Sequence, residues 1–284
     1  MKAFLKALFR SRAGTFGWTC LLLFVLMAVF APLLIPHDPT TANLTNRMKP
    51  PTISWLELGI YPFGNDQLGR DILSRIIMGS RITMLIAGAS VLLGGVFGVF
   101  MGMVSGYFGG WADRIIMRLA DIQLAFPLML LALIIVAVLG PNLTNLILVL
   151  ALTSWVRYAR IVRGEVLSLR EREFVVSARA VGASAWRIIL LHILPNVLTP
   201  ALVVGTLELA RVIIMEAALS FLGLGVQPPN PSWGRMLADG RTYMTSAWWL
   251  VTFPGLAIML LVLSVNLVGD WLRDYFDPKL RGRR

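Results

Sequence analysis

Long uncharged runs of apolar residues alternate with short charged segments along most of the chain. A stretch of about 20 apolar residues is long enough to cross the hydrocarbon core of a bilayer as a helix. The turn signal Gly140-Pro141-Asn142 divides the longest run into two. We therefore expect one all-α transmembrane domain over residues 1–284, with spanning helices at about 17–36, 82–104, 115–139, 143–162, 197–224 and 248–268.

The overall composition supports an integral membrane protein. Hydrophobic residues make up 57% of the 284 residues, charged residues only 14%, and the mean hydropathy is +0.75. Globular proteins are about one-quarter charged. A soluble enzyme, a disordered protein and a disulfide scaffold are therefore disfavoured, and the single cysteine, Cys20, lies in an apolar run as a small apolar filler.

The positive charge predicts the orientation in the membrane. The net charge is +11. With both termini in the cytoplasm, 18 of the 26 Lys and Arg residues lie in inside segments and seven lie in outside segments. This asymmetry follows the positive-inside rule. It explains most of the basic charge without nucleic acid as a partner. The charged N-terminal residues before the first span are expected to lie at the membrane surface.

Three segments carry finer expectations. The spacing of Leu68, Ile72 and Ile76 predicts a short helix at the membrane surface, in which Asp71 pairs with Arg75 four residues on. It is either an element that orients the next span or part of a gate or docking surface.

Four glycines at every fourth residue predict close helix packing, within this chain or against a partner: Gly94, Gly98, Gly102 and Gly106. The proline-rich loop at 225–234 is expected to place Trp233 at the membrane interface as an anchor.

The segment 164–195 is the longest inside segment and has the densest charge. Its pattern predicts one short helix at 173–180, a turn at Gly182, and a second helix at 185–191 with Ser184 as its N-cap. The segment is either a basic loop in contact with anionic lipid or a docking element for a cytoplasmic partner. The residues alone leave both interpretations open.

The fifth predicted helix contains the ionisable residues Glu208, Arg211 and Glu216. Such groups are costly within a membrane and usually face a cavity or each other. Glu208 and Arg211 are three residues apart and can form a pair, whereas Glu216 has no partner on its own helix. Structural pairing, lining of a transport path and proton coupling all remain open for these residues.

Several of these stretches together resemble a known family. The segment Val176-Ser177-Ala178, followed by Gly182 and later by Leu194-Pro195, looks like the EAA loop of ABC importer permeases. Val176 stands where that pattern has Glu, so no charge role is carried over to it, and Glu173 is the nearby candidate. Three further stretches are similar to the second, C-type permease of dipeptide and oligopeptide importers: 66–75, 219–234 and 266–278. The resemblance covers nearly the whole chain.

The resemblance implies a type I importer permease with six transmembrane helices and a cytoplasmic helical coupling loop, in the bacterial cytoplasmic (inner) membrane. A homologous permease, two cytoplasmic ATP-binding subunits and an extracytoplasmic solute-binding protein would be its partners, beside membrane lipid. ATP and Mg²⁺ would bind to the ATP-binding subunits, so this chain would hold no cofactor or metal and would not itself be an enzyme. The residues implied at the ATPase contact are Glu173, Ser177, Ala178, Gly182, Ala183, Leu194 and Pro195. Glu208, Arg211 and Glu216 are candidates for the translocation path.

The main alternative is a secondary transporter that works alone, coupled to protons through Glu216. It would leave the long cytoplasmic helical segment without a purpose. The chain also has no GxxxxGK motif followed by Ser or Thr, so no nucleotide-hydrolysing site is expected on it. The solute is not fixed, because relatives in this family carry dipeptides, longer peptides, glutathione, opines or nickel.

Overall fold

The computed structural model describes residues 8–9, 11–52 and 61–276, and helices dominate these ranges. The first few residues, expected at the membrane surface, and the end of the motif at 277–278 lie outside the described residues. The main helices are α1 (Arg12–Val29), α2 (Ile72–Phe108), α3 (Gly110–Leu124), α4 (Leu128–Leu139), α5 (Leu143–Leu169), α6 (Glu173–Ala180), α7 (Ala185–Phe221), α8 (Trp233–Gly240) and α9 (Trp249–Phe276).

The helices fit the expected number of membrane crossings. In the described ranges, α1, α2, α5, α7 and α9 are each long and apolar enough to span a bilayer, and α3 with α4 makes a sixth crossing if the two are counted together. The helix predicted at 115–139 is divided in two, because α3 and α4 meet at an angle of 88°. Pro127 lies at this bend. Proline has no N–H to donate and disfavours helical geometry in the preceding residue, Phe126.

The predicted surface helix before the second span is not a separate element. Its residues from Ile72 onward form the first turns of α2, which continues without a break to Phe108. The carboxylate of Asp71 caps this helix and accepts hydrogen bonds from the N–H groups of Leu73 and Ser74 (3.3 and 3.0 Å). The expected pairing with Arg75 is therefore wrong, and Nη1 of Arg75 lies 3.3 Å from Oδ2 of Asp66 instead.

The glycine stripe packs within this chain. α2 and α5 make the most extensive helix contact in the described part of the fold, along the side of α2 that carries the glycines. A Cβ at Gly102 would lie 2.6 Å from the carbonyl oxygen of Ala159, and a Cβ at Gly106 would lie 2.8 Å from Cβ of Val166. The absence of side chains thus lets the two backbones approach closely.

The segment between α5 and α7 is shorter than the sequence indicates. α6 has the predicted bounds, but the predicted helix at 185–191 is continuous with the fifth span, so Leu194 and Pro195 lie inside α7. A single π turn at Ile189–Ile193 accommodates the proline. Pro195 has no N–H for the carbonyl of Leu191, and such a gap in the hydrogen-bond ladder favours a local π turn. The connecting segment is therefore residues 170–184.

The opposite end of the bundle is closed by the loop after α7 and by α8. Trp233 is fully buried there, and its indole N–H donates to the carbonyl oxygen of Ile76 on α2 (3.0 Å). The prediction that Trp233 anchors at the membrane interface is therefore wrong. Trp249 makes a similar bond to the carbonyl of Asn65 (3.2 Å). These bonds attach α8 to the first turns of α2 and α9 to the loop that precedes it.

Candidate functional site

Residues 170–184, hereafter the coupling segment, form a short helix that is anchored on one side and exposed on the other. Val175 of α6 is fully buried in an apolar cluster. Phe174, Val176 and Val181 are 41, 48 and 86% exposed. The buried members of the cluster come mainly from α5 and α7: Met103, Val162, Val166, Leu169, Ile188, Ile189, Ile193, Val197 and Ala201. The segment is thus seated on both long helices while its outer face stays free.

Polar and aromatic contacts attach the coupling segment to the end of α2. Nη1 of Arg170 donates to the carbonyl oxygen of Gly106 (3.2 Å). The guanidinium of Arg179 lies 5.8 Å from the ring centroid of Tyr107, which is cation–π distance. Three long helices therefore hold the segment in place.

A C-cap motif fixes the end of α6. Gly182 has a φ of +80°, and its N–H donates to the carbonyl of Arg179 (3.0 Å). The N–H of Ala183 donates to the carbonyl of Ala178 (3.1 Å). This pair of bonds is the Schellman motif, in which glycine takes the left-handed position. A Cβ at Gly182 would have no atom within 4 Å, so the position requires glycine for its backbone conformation rather than for space.

The structure brings five of the seven predicted coupling residues together in this segment. Glu173 is the first residue of α6, where a carboxylate is favoured by the helix dipole. Ser177 and Gly182 are exposed, while Ala178 and Ala183 are half-buried against the cluster. The other two lie in α7: Leu194 packs against the same apolar cluster, and Pro195 is exposed.

A charged cluster lies in the middle of the bundle. Glu208 on α7 is fully buried, with Oε2 at 3.1 Å from Nε of Arg211. The sequence spacing of Glu208 and Arg211, three residues apart on one helix, predicts this ion pair. Oε1 of Glu208 also lies 3.1 Å from Nη1 of Arg157 on α5, and Nη2 of Arg211 donates to the carbonyl of Thr153 (2.9 Å). One carboxylate thus holds two arginines from two helices.

Sequence reasoning missed Arg157 because it counted this residue with the inside segments. α5 continues to Leu169, so Arg157 lies about 21 Å from the start of a helix that is about 40 Å long. A signal for its role was available in the sequence, because three arginines follow one another at every third residue: Arg157, Arg160 and Arg163. Arg160 contacts Asp121, and Nη2 of Arg163 lies 2.7 Å from Oδ2 of Asp113, so both pair with α3.

Glu216 lies apart from this charged cluster, two turns further along α7. It is fully buried, and the hydroxyl of Ser220 donates to its Oε1 (2.7 Å). The Ser220 oxygen in turn accepts from the N–H of Val226 in the following loop (3.2 Å). The three predicted path residues therefore lie at two sites on α7, Glu208 with Arg211 at one and Glu216 at the other.

In the described ranges, no group of His, Cys, Asp and Glu side chains could hold a metal ion.

Several helices long and apolar enough to span a bilayer, with buried ion pairs between them, define a multi-pass membrane protein. Residues 94–282 match the family described as the binding-protein-dependent transport system inner membrane component. Residues 1–51 match the N-terminal transmembrane domain of oligopeptide transport permease C. The chain belongs to this family, and it is the permease subunit of an ABC importer, a transport component rather than an enzyme. The alternative of a secondary transporter that works alone is not supported.

Two relatives show how far the likeness extends. The dipeptide transport system permease protein of Alkalihalophilus pseudofirmus is 44% identical over 97% of this chain and 89% of its own length. The di/tripeptide transport system permease protein of Pseudomonas aeruginosa is 44% identical over 99% of this chain and 93% of its own length. A chain of the MetNI methionine ABC transporter in an inward-facing conformation shares the fold, with a TM-score of 0.55 at 19% identity, over 72% of this chain and 97% of that one.

Proposed function

We propose that this permease forms, with a second homologous permease, the path by which short peptides cross the bacterial inner membrane. An extracytoplasmic binding protein delivers the solute, and two ATP-binding subunits at the cytoplasmic side drive transport. They bind the ATP and Mg²⁺, and this chain holds no cofactor. The peptide class is supported by the relatives, whose names are dipeptide and di/tripeptide transport permeases.

The exposed apolar face of the coupling segment is the main observation that supports this proposal. Its outer face exposes apolar side chains, of which Val181 is 86% exposed, although it lies beyond the ends of the spanning helices. An exposed apolar patch among polar residues is typical of a protein contact. The basic residues at this end also favour the cytoplasmic side, and we propose that both termini lie on that side. We assign this face to the ATP-binding subunits, with Ser177, Ala178, Gly182 and Ala183 at the contact.

The long helix α7 offers a direct route for the motion. It runs from Ala185, beside the coupling segment, through Glu208 to Phe221. A displacement of the coupling segment would reach the pair between Glu208 and Arg157, which joins α7 to α5. We propose that Glu208 and Arg211 border the path. Glu216, bonded through Ser220 to the following loop, would hold the opposite end of the bundle in shape.

Co-purification from native membranes tests this function. The tagged chain, extracted in mild detergent, should bring with it a second six-span permease and ATP-binding subunits in stoichiometric amounts. Val181→Arg should lose the ATP-binding subunits and keep the second permease. Leu44→Arg, which changes a 69% exposed residue outside the coupling segment, should keep both. A chain that purifies alone and supports uptake without any ATPase would overturn the proposal.

A further inference from the structure

One face of α5 changes from buried to exposed at Arg157. Residues Leu146, Leu150 and Thr153 follow this face from the start of the helix and are all buried. Arg157 and Ile161, at the next positions of the same stripe, are exposed. The face is therefore covered by other helices in its first half and open in its second half, towards the coupling segment.

The exposed guanidinium at this boundary does not suit a lipid-facing surface. The side chain of Arg157 is 54% exposed although it lies near the middle of a spanning helix. A charged side chain at the centre of a bilayer is costly and almost always faces a protein interior or water. The open half of this face therefore faces water or another protein rather than lipid.

The charges around Arg157 leave a positive surplus. Arg157 and Arg211 share one carboxylate, that of Glu208. Towards the same end of α5, a groove of about 480 Å³ between α3 and α5 is lined by three arginines and two aspartates: Arg114, Arg160, Arg163, Asp113 and Asp121, together with Met117. Both places carry one more positive than negative charge. An excess of one sign in a low-dielectric cleft attracts ions of the opposite sign.

The structure assigns to Arg157 the binding of a carboxylate group of the solute in the path. Nη1 of Arg157 lies 3.1 Å from Oε1 of Glu208, and a guanidinium has five N–H donors, so donors remain for a second carboxylate. Arginine binds carboxylates in a planar, often bidentate geometry. This assignment rests on the proposed peptide function, since the terminal carboxylate of a short peptide is the group that would bind there.

The test compares peptides with and without that carboxylate. Uptake of a dipeptide and of its C-terminal amide is measured with the complete transporter in membranes, for the wild type, Arg157→Gln, Arg157→Lys and Arg81→Gln. Any preference of the binding protein for the free acid is common to all four and cancels in the comparison. Arg81→Gln is the matched control, since it removes an exposed arginine near the other end of the spanning helix α2.

Arg157→Gln should lower the ratio of acid uptake to amide uptake by about tenfold or more, as expected for a lost charge-assisted hydrogen bond. Arg157→Lys should recover part of the preference for the acid, and Arg81→Gln should keep all of it. Equal losses for acid and amide with Arg157→Gln would overturn the assignment. Loss of the second permease on purification would also overturn it, because Arg157 would then be a subunit contact. A wild-type complex that takes up neither compound would instead overturn the proposed function.

Discussion

Arg157 of α5 and Glu208 of α7 form an ion pair of 3.1 Å in the middle of the helix bundle. Glu208 is fully buried, whereas the side chain of Arg157 is half exposed. Because Glu208 also pairs with Arg211, its carboxylate is the only acidic partner that either arginine has among the described residues. The charge balance at this contact between α5 and α7 therefore depends on one side chain.

Glu208→Gln should destabilise the protein by about 3–5 kcal/mol, because it leaves a partly buried arginine without its countercharge. Glu208→Met combined with Arg211→Met should cost less than Glu208→Gln alone, since the remaining Arg157 is accessible to water. Unfolding of the detergent-solubilised protein measures both effects. Glu165→Gln, at an exposed position of α5, is the control and should cost almost nothing. A neutral Glu208→Gln would show that the pair does not hold the helices together.

Gly102→Ala should destabilise the fold by about 1–3 kcal/mol, the usual cost of overpacking. The new Cβ would lie 2.6 Å from the carbonyl oxygen of Ala159, and a backbone atom inside a helix cannot easily move aside. Gly88→Ala on the same helix is the matched control, because no atom lies within 4 Å of its Cβ. It should be neutral or slightly stabilising, since alanine favours helix more than glycine does. Similar losses for the two variants would contradict the close packing of α2 on α5.

Gly182→Val should reduce solute uptake per ATP hydrolysed while the protein stays in the membrane. Its φ of +80° costs a β-branched residue about 1–2 kcal/mol, and the end of the coupling segment would shift to relieve this strain. Gly182→Asn should retain coupling much better, because asparagine tolerates the left-handed region. Uptake and ATPase activity of the same reconstituted preparation give the ratio. Equal ratios for valine and asparagine would mean that the Gly182 conformation has no part in coupling.

Trp233→Phe should destabilise the protein by about 1–3 kcal/mol, through the lost hydrogen bond to Ile76 and the volume left empty around the smaller ring. Trp248→Phe is the comparison, since Trp248 is 54% exposed and should tolerate the change. Thermal unfolding of the two variants in one detergent gives the difference. If Trp248→Phe proved the more harmful, Trp233 would not be the residue that closes this end of the bundle.

Local signals sufficed to predict several parts of the fold. Glu173 at the start of α6 and Gly182 just after its end are helix boundary signals that act within a few residues. The spacing of Glu208 and Arg211 places them on one helix face whatever surrounds them. The fourfold repeat from Gly94 to Gly106 likewise predicts close packing, although only the structure shows that its partner is α5.

Features that depend on where a helix begins or ends could not be predicted in the same way. The absence of charge marks the apolar part of a helix but not its length, so the sequence predicts an end near residue 162, close to Arg157, whereas α5 continues to Leu169. The bend at Pro127 and the π turn before Leu194 lie inside uncharged or helix-compatible runs. The burial of Trp233 arises from contacts with α2, more than 150 residues away in sequence, which no local pattern contains.

The proposed function requires the coupling segment to contact the ATP-binding subunits of an importer. Cross-linking from a cysteine or a photoreactive residue at the exposed position Ser177 tests it most directly, with Asn230 at the opposite end of the bundle as the control position. We expect a cross-link to an ATP-binding subunit from Ser177 and none from Asn230. A Ser177 position that cross-links to no ATP-binding subunit in the assembled complex, or an Asn230 position that does, would contradict it.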